Sequence, residues 1–275
     1  MLKRCFRNRT FIISILMLLP FMLIAILGPL IVTHDPLAID SVNILKPPSR
    51  TYILGTDEFG RDIFSRLILG IRPTLIVALG STGLAFFLGF IIGLLAGYYG
   101  GVVEQLLMRM VDIVLCFPPI LLALMIVAFW GSGIVILIFI IGILYTPHFA
   151  RITYSGVIQV KTLAYIESER SLGASSFRIL KRGISPNIMS PLIIQVSLTI
   201  ASAILLEAGL SFLGVGILPP APSWGQMIGA AKGYVMLSPN YIFWPSLCLC
   251  LTILGTNLLG DSLRDILDPK LNNET

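Results

Sequence analysis

Glu167-Ser168-Glu169-Arg170-Ser171-Leu172-Gly173, with Ile184-Ser185-Pro186-Asn187 further on, lies in a polar, basic stretch that runs from 151 to 187. The sequence on either side is mostly apolar. A glycine six positions after an acidic residue, with a proline thirteen positions beyond it, predicts two short helices joined by a sharp turn. Glycine permits the turn because it has no Cβ to obstruct it. Ser175 and Ser176 are placed to cap the second helix, and Pro186 suits the first turn of the helix that follows. A knob of this kind between apolar segments is suited to docking on a soluble body.

The rest of the chain explains why the knob stands out. Of 275 residues 56% are hydrophobic and only 12% charged, whereas a soluble domain carries about a quarter charged residues. Lipid must therefore solvate it. The net charge is +5, and its cations flank apolar runs instead of forming one patch. That distribution fits membrane orientation and argues against nucleic acid as a partner.

Apolar runs long enough to cross a bilayer fall near 11–33, 75–98, 113–130, 133–150, 188–210 and 242–260. The fold class is thus an all-α integral membrane protein with about six transmembrane helices. Four parts are expected: a tail and first helix (1–33), an external loop (34–74), a five-helix core (75–262) holding the loop 151–187, and a tail (263–275). Lys3, Arg4, Arg7 and Arg9 before a run too long for a signal peptide read as a retained signal anchor. With both ends cytoplasmic, 13 of the 19 Lys and Arg lie inside, as the positive-inside rule prefers. The external loop argues weakly against this orientation, since it carries Lys46, Arg50, Arg61, Arg66 and Arg72.

Two features predict how the helices behave. Gly89, Gly93 and Gly97 put three flat patches on one helical face, as close backbone packing requires, although membrane helices use glycine freely in any case. Pro118-Pro119 removes two backbone donors and should kink or break the third span.

Catalytic signatures are missing. No Gly-Lys pair occurs, so there is no phosphate-cradling P-loop, and neither HExxH nor Gly-x-Ser-x-Gly is found. Cys5, Cys116, Cys248 and Cys250 lack zinc spacing, and His34 and His148 read as interfacial or packing residues. Glu207, near the outer end of the fifth span, is the clearest acid at a membrane edge. No chain of mid-membrane acids suggests ion coupling. The chain is expected to be no enzyme, to bind no cofactor or metal, and to draw its energy from elsewhere.

Several blocks together resemble the inner-membrane permease subunits of ABC importers, in the dipeptide/oligopeptide/nickel branch. Gly55-Thr56-Asp57-Glu58-Phe59-Gly60-Arg61-Asp62 is similar to that branch's external-loop signature. Glu167, Gly173, Ala174, Ser175, Arg178, Arg182, Ile184, Pro186 and Asn187 match its cytoplasmic E-A-A-x-x-x-G loop. Glu207-Ala208-Gly209-Leu210-Ser211-Phe212-Leu213-Gly214, the Pro219–Gly225 stretch with Trp224, and an end containing Asn257, Asp261, Arg264, Asp268 and Pro269 complete the order. There are departures: Ser168 and Glu169 replace the two alanines, and Gly183 and Ser185 stand where histidine and leucine are common. They bear on the choice of partner ATPase.

The resemblance implies a type I importer permease fold. It also implies a second, similar permease (a heterodimer), two ATPase subunits that bind ATP and Mg, an extracytoplasmic binding protein, and a place in a prokaryotic inner membrane. Glu167, Gly173, Ala174, Ser175, Arg178 and Pro186 would dock the ATPase. Asp57, Arg61, Glu207 and Trp224 would form an external gate or partner contact. For the loop charges a local, folded cap is the competing reading. Di- or oligopeptides are the expected cargo, with nickel or a metal chelate as the alternative. Outside this class, an ATP-independent carrier and a non-transporting scaffold are the rivals.

Overall fold

A computed structural model describes residues 8–267. The cations at 3, 4 and 7, Cys5, and the block around Asp268-Pro269 lie outside the described residues. Among the described residues all regular elements are helical. They are α1 (Arg9–Ile31), α2 (Ile63–Tyr99), α3 (Gly101–Leu115), α4 (Pro119–Trp130), α5 (Ile134–Lys161), α6 (Ala164–Ser171), α7 (Ser176–Phe212), α8 (Trp224–Ala231) and α9 (Pro239–Leu267). Five of these are long and apolar enough to cross a membrane, or six if α3 and α4, bent against each other, are counted as one broken span.

Five of the six expected spans are single long helices with shifted ends. The second begins at Ile63 instead of near 75, because Asp62 caps it: its Oδ2 accepts from the Ser65 amide at 3.0 Å and the Ser65 hydroxyl at 2.6 Å. The external loop therefore ends at Asp62, and Arg66 and Arg72 belong to the helix. The third span is two helices bent by 92° at Pro118-Pro119, a break where a kink was the milder expectation. The fourth continues to Lys161, and the last runs from Pro239 to Leu267. The tail from 263 is thus helical as far as it is described.

Helix α2 and helix α5 pack backbone to backbone at the centre. A Cβ at Gly89 would lie 2.5 Å from Phe149 Cβ, one at Gly93 2.5 Å from the Ala150 carbonyl, and one at Gly97 2.7 Å from Val157 Cβ. The glycine face is therefore a contact face. Helix α9 lies against α1 and α7, with Gly255 at Leu18 and Gly260 at Ser197.

Prolines inside spans free carbonyls that lipid cannot satisfy. Pro29 offers no N–H to the Ala25 carbonyl. The Arg72 side chain reaches across from α2, donating from Nε to Ala25 O at 2.6 Å and from Nη2 to Ile26 O at 2.8 Å.

Candidate functional site: the knob and the strut

The polar stretch from 162 to 188 folds into a knob where α2 ends at Tyr99 and α5 at Lys161. Helix α6 is held by one fully buried residue, Ile166, which joins Ile179, Ile184, Ile188 and Phe149 in an apolar cluster. Its C-terminus closes on Gly173 at φ +79°, where the Gly173 amide donates to Arg170 O at 3.0 Å and the Ala174 amide to Glu169 O at 3.0 Å. This is the left-handed position that glycine favours at helix ends. Ser175 Oγ then accepts from the Arg178 amide and caps the next turn.

The expected second short helix does not stand alone. Residues 176–178 run directly into a π-turn (Ile179–Ile184), a 3₁₀ turn containing Pro186 (Ser185–Ile188) and the membrane part of α7. Movement of the knob is thus movement of α7. Tyr165 Oη donates to Gly183 O at 3.1 Å, and Asn187 Nδ2 donates to the same carbonyl at 2.6 Å and to Tyr165 Oη at 2.9 Å. These bonds pin α6 onto the π-turn.

Glu167, Gly173, Ser175, Arg178 and Pro186 are exposed on the knob and Ala174 is half-buried. Sequence reading did not single out Leu172 and Phe177, which are 87% and 72% exposed at the tip. Two large apolar side chains in water beside Arg170, Arg178, Lys181 and Arg182 make a surface that is apolar at its point and basic at its flanks. Lys161 Nζ donates to Gly97 O at 2.7 Å, and the Arg170 guanidinium lies 5.8 Å from the Tyr98 ring, so the knob is tied to the end of α2 as well.

At the opposite end of α2, Asp57 is fully buried. It receives Arg61 Nε at 2.7 Å on Oδ2 and the Phe59 and Arg61 amides, each at 2.9 Å, on Oδ1. Arg66, 1% exposed, places Nε 3.4 Å from the same carboxylate and donates from Nη1 to Pro36 O at 3.0 Å. The ion pairs close the loop 34–62 onto the start of α2, as the local-cap reading expected. A buried carboxylate shared between two guanidiniums is tolerable because its lone pairs are filled. Near the loop's surface, a hydrogen bond from the Asn43 side chain and one from the Val42 amide hold the Asp40 carboxyl below its ordinary pKa.

Glu207 and Trp224 are equally enclosed. Ser211 Oγ donates to Glu207 Oε1 at 2.6 Å and accepts from the Ile217 amide at 3.0 Å, fastening the turn after α7. Trp224 Nε1 donates to Leu67 O at 2.9 Å, and its ring meets Phe21 edge-on at 5.8 Å. Helix α8 lies on α7 through Gly225, whose Cβ would fall 2.5 Å from Ala208 O. All four residues expected at an external gate or partner contact are thus buried inside this chain, as struts between its outer elements.

With this geometry in view, the comparisons with known proteins follow. The family described as "Binding-protein-dependent transport system inner membrane component" matches residues 89–273, and "N-terminal TM domain of oligopeptide transport permease C" matches residues 1–48. The glutathione transport system permease protein GsiD of Pectobacterium atrosepticum is 43% identical over 226 residues, covering 82% of this chain and 75% of that protein. The dipeptide transport system permease protein DppC of Alkalihalophilus pseudofirmus is 37% identical over 271 residues, 98% of this chain and 89% of that one. The fold is shared with the inward-facing MetNI methionine ABC transporter at a TM-score of 0.61 and 19% identity, covering 74% of this chain and 96% of that chain. The expected type I permease fold is therefore present, and the chain belongs to the family of binding-protein-dependent transport system inner membrane components.

Proposed function

We propose that this chain is one of two permeases enclosing a path for di- and oligopeptides through a prokaryotic inner membrane. Two cytoplasmic ATPase subunits, holding ATP and Mg, dock on the knob, and an extracytoplasmic binding protein delivers the peptide. The observation that carries the reading is the continuity of the knob with α7: a push on Leu172 or Phe177 from below is passed into a transmembrane helix without an intervening loop. Nucleotide-driven closure of the ATPase pair then favours one of two arrangements of the spans. The peptide cargo is supported by relatives named for dipeptides, di/tripeptides and D,D-dipeptides. These relatives are named for peptides and not for nickel. Those relatives' cargoes differ in size and in configuration, and peptide linkages are what they share.

Purification of tagged chain from its own cells in mild detergent tests the assembly. A second permease and two ATPases should accompany it, and a cysteine at Ser175 should cross-link to an ATPase. Recovery of this chain alone across several detergents would sink the proposal.

A further inference from the structure

Beside the ion-paired cap, the loop 34–62, the start of α2, the end of α7, α8 and the start of α9 enclose a cavity of about 520 Å³. Phe59, Phe212 and Met227 give it apolar walls, and charged or polar side chains enter from several of the elements around it. Volumes of about 300–1,000 Å³, with apolar walls and a few convergent polar groups, are usual for small-molecule sites. The strut described above uses Asp57, Arg61 and Trp224, and it leaves other groups of this cavity without partners.

Glu58 gives Oε1 to Arg61 Nη2 at 3.3 Å, while its Oε2 is buried and makes no hydrogen bond. Tyr241, itself buried, borders Glu58 from α9, yet no hydrogen bond joins the two. On α8, Gln226 Oε1 is buried and equally unmet. Arg66, 1% exposed, spends Nη1 on Pro36 O; its Nε makes no hydrogen bond and lies 3.4 Å from the Asp57 carboxylate. Lys232, just beyond α8, is exposed over the Phe212 ring at 5.4 Å and has no carboxylate partner among the described residues. Buried polar groups are ordinarily paired, and leaving one unpaired is destabilising. Here two unmet acceptors, one unmet donor and an unpaired cation belong to the walls of a single cavity.

We propose that this cavity binds a small zwitterion, a free amino acid or short peptide, with its ammonium group at Glu58 and Gln226 and its carboxylate at Lys232 and Arg66. Both signs of charge are needed. Glu58 disfavours a simple anion, and Arg61, Arg66 and Lys232 disfavour a simple amine, so a solute carrying both groups is selected against either alone. The rings of Phe59 and Phe212 and the Met227 side chain receive an apolar side chain. Every wall belongs to this one chain, so the site is separate from a path enclosed between two permeases. The charges of the walls choose the ligand, and the inference goes beyond the peptide-importer reading without resting on it.

Equilibrium dialysis of radiolabelled alanylalanine against the complete transporter, purified without binding protein, tests this. Alanylalanine should bind, and its carboxamide and its N-acetyl derivative should each bind about ten-fold more weakly, as the loss of one charge-assisted hydrogen bond implies. Lys232→Gln should weaken alanylalanine by about the same factor while leaving the carboxamide unchanged, because ligand and residue charges act as a pair. Glu58→Gln should do the same with the N-acetyl derivative. If Glu58→Gln impairs folding through its pairing with Arg61, the exposed Lys232 decides by itself. Three results would overturn the proposal: no binding at millimolar alanylalanine; binding that Lys232→Gln leaves intact, which puts the peptide elsewhere in the complex; and displacement of bound alanylalanine by glycerophosphoethanolamine at far lower concentration than by unlabelled alanylalanine, which assigns the cavity to a lipid headgroup. Binding as expected without ATP-driven uptake of alanylalanine by the same complex would strike the cargo reading alone.

Discussion

Gly183 and Glu169 show how two departures from a pattern can be one. A Cβ at Gly183 would lie 2.6 Å from Ile166 Cδ1 and 3.4 Å from Glu169 Oε2. The carboxylate added in α6 therefore lies over the glycine in the π-turn. Gly183→His should force α6 off its seat, costing about 1–3 kcal/mol as overpacking does. Glu169→Ala in the same chain should recover part of that, a coupling to be read from thermal unfolding and from trypsin cleavage at the knob. The sequence displayed both departures but not their contact, since residues in different turns acquire a shared wall only on folding. Asp57 is a second case. That the loop charges would close a local cap was legible, while Arg66, counted with the loop because the loop was drawn to 74, proved to be a buried helical residue. Asp57→Ala should cost about 3–5 kcal/mol by leaving two guanidiniums without their carboxylate, seen as a lower melting temperature of the detergent-purified chain.

Among the elements, helix existence was readable and helix ends were not. Hydrophobic runs located the five long helices and the apolar α4, yet α2 and α5 extend beyond their runs because polar residues there find partners within the chain. The glycine face of α2 was visible as a spacing of four, and its partner α5 was not, because spacing carries no address. Gly93→Leu should abolish the α2–α5 contact and yield aggregated or degraded protein, since its Cβ alone would fall 2.5 Å from backbone. Expression and size-exclusion profiles would record this. The turn at Gly173 differs in kind: a Cβ there meets nothing within 4 Å, so only the backbone angle resists substitution. Gly173→Pro should therefore abolish uptake, because proline cannot adopt φ +79° or donate to Arg170, while insertion into the membrane remains normal. Loss of insertion as well would reduce the knob to a structural loop.

For the molecule as a whole, the expected orientation rests on the distribution of cations, with the segment 34–74 as the discordant part. Of the five external cations, Arg61, Arg66 and Arg72 are engaged with Asp57, Pro36, Ala25 and Ile26 inside the chain. Only Lys46 and Arg50 remain to be weighed against the inner charges. A cysteine at Leu172 should accordingly react with impermeant reagent in inside-out vesicles and not in intact spheroplasts; the reverse pattern would invert the topology. One more consequence follows from α2. Its 37 unbroken helical residues correspond to about 55 Å at 1.5 Å per residue, well beyond a hydrocarbon layer about 30 Å thick. The surplus carries it from the ion-paired cap at one end to Lys161 and Arg170 of the knob at the other. A shaft of that length tilting by about 5° sweeps its far end through about 5 Å, roughly one helical turn. A single mechanical part can thus carry a displacement of the knob to the ion-paired cap at its opposite end.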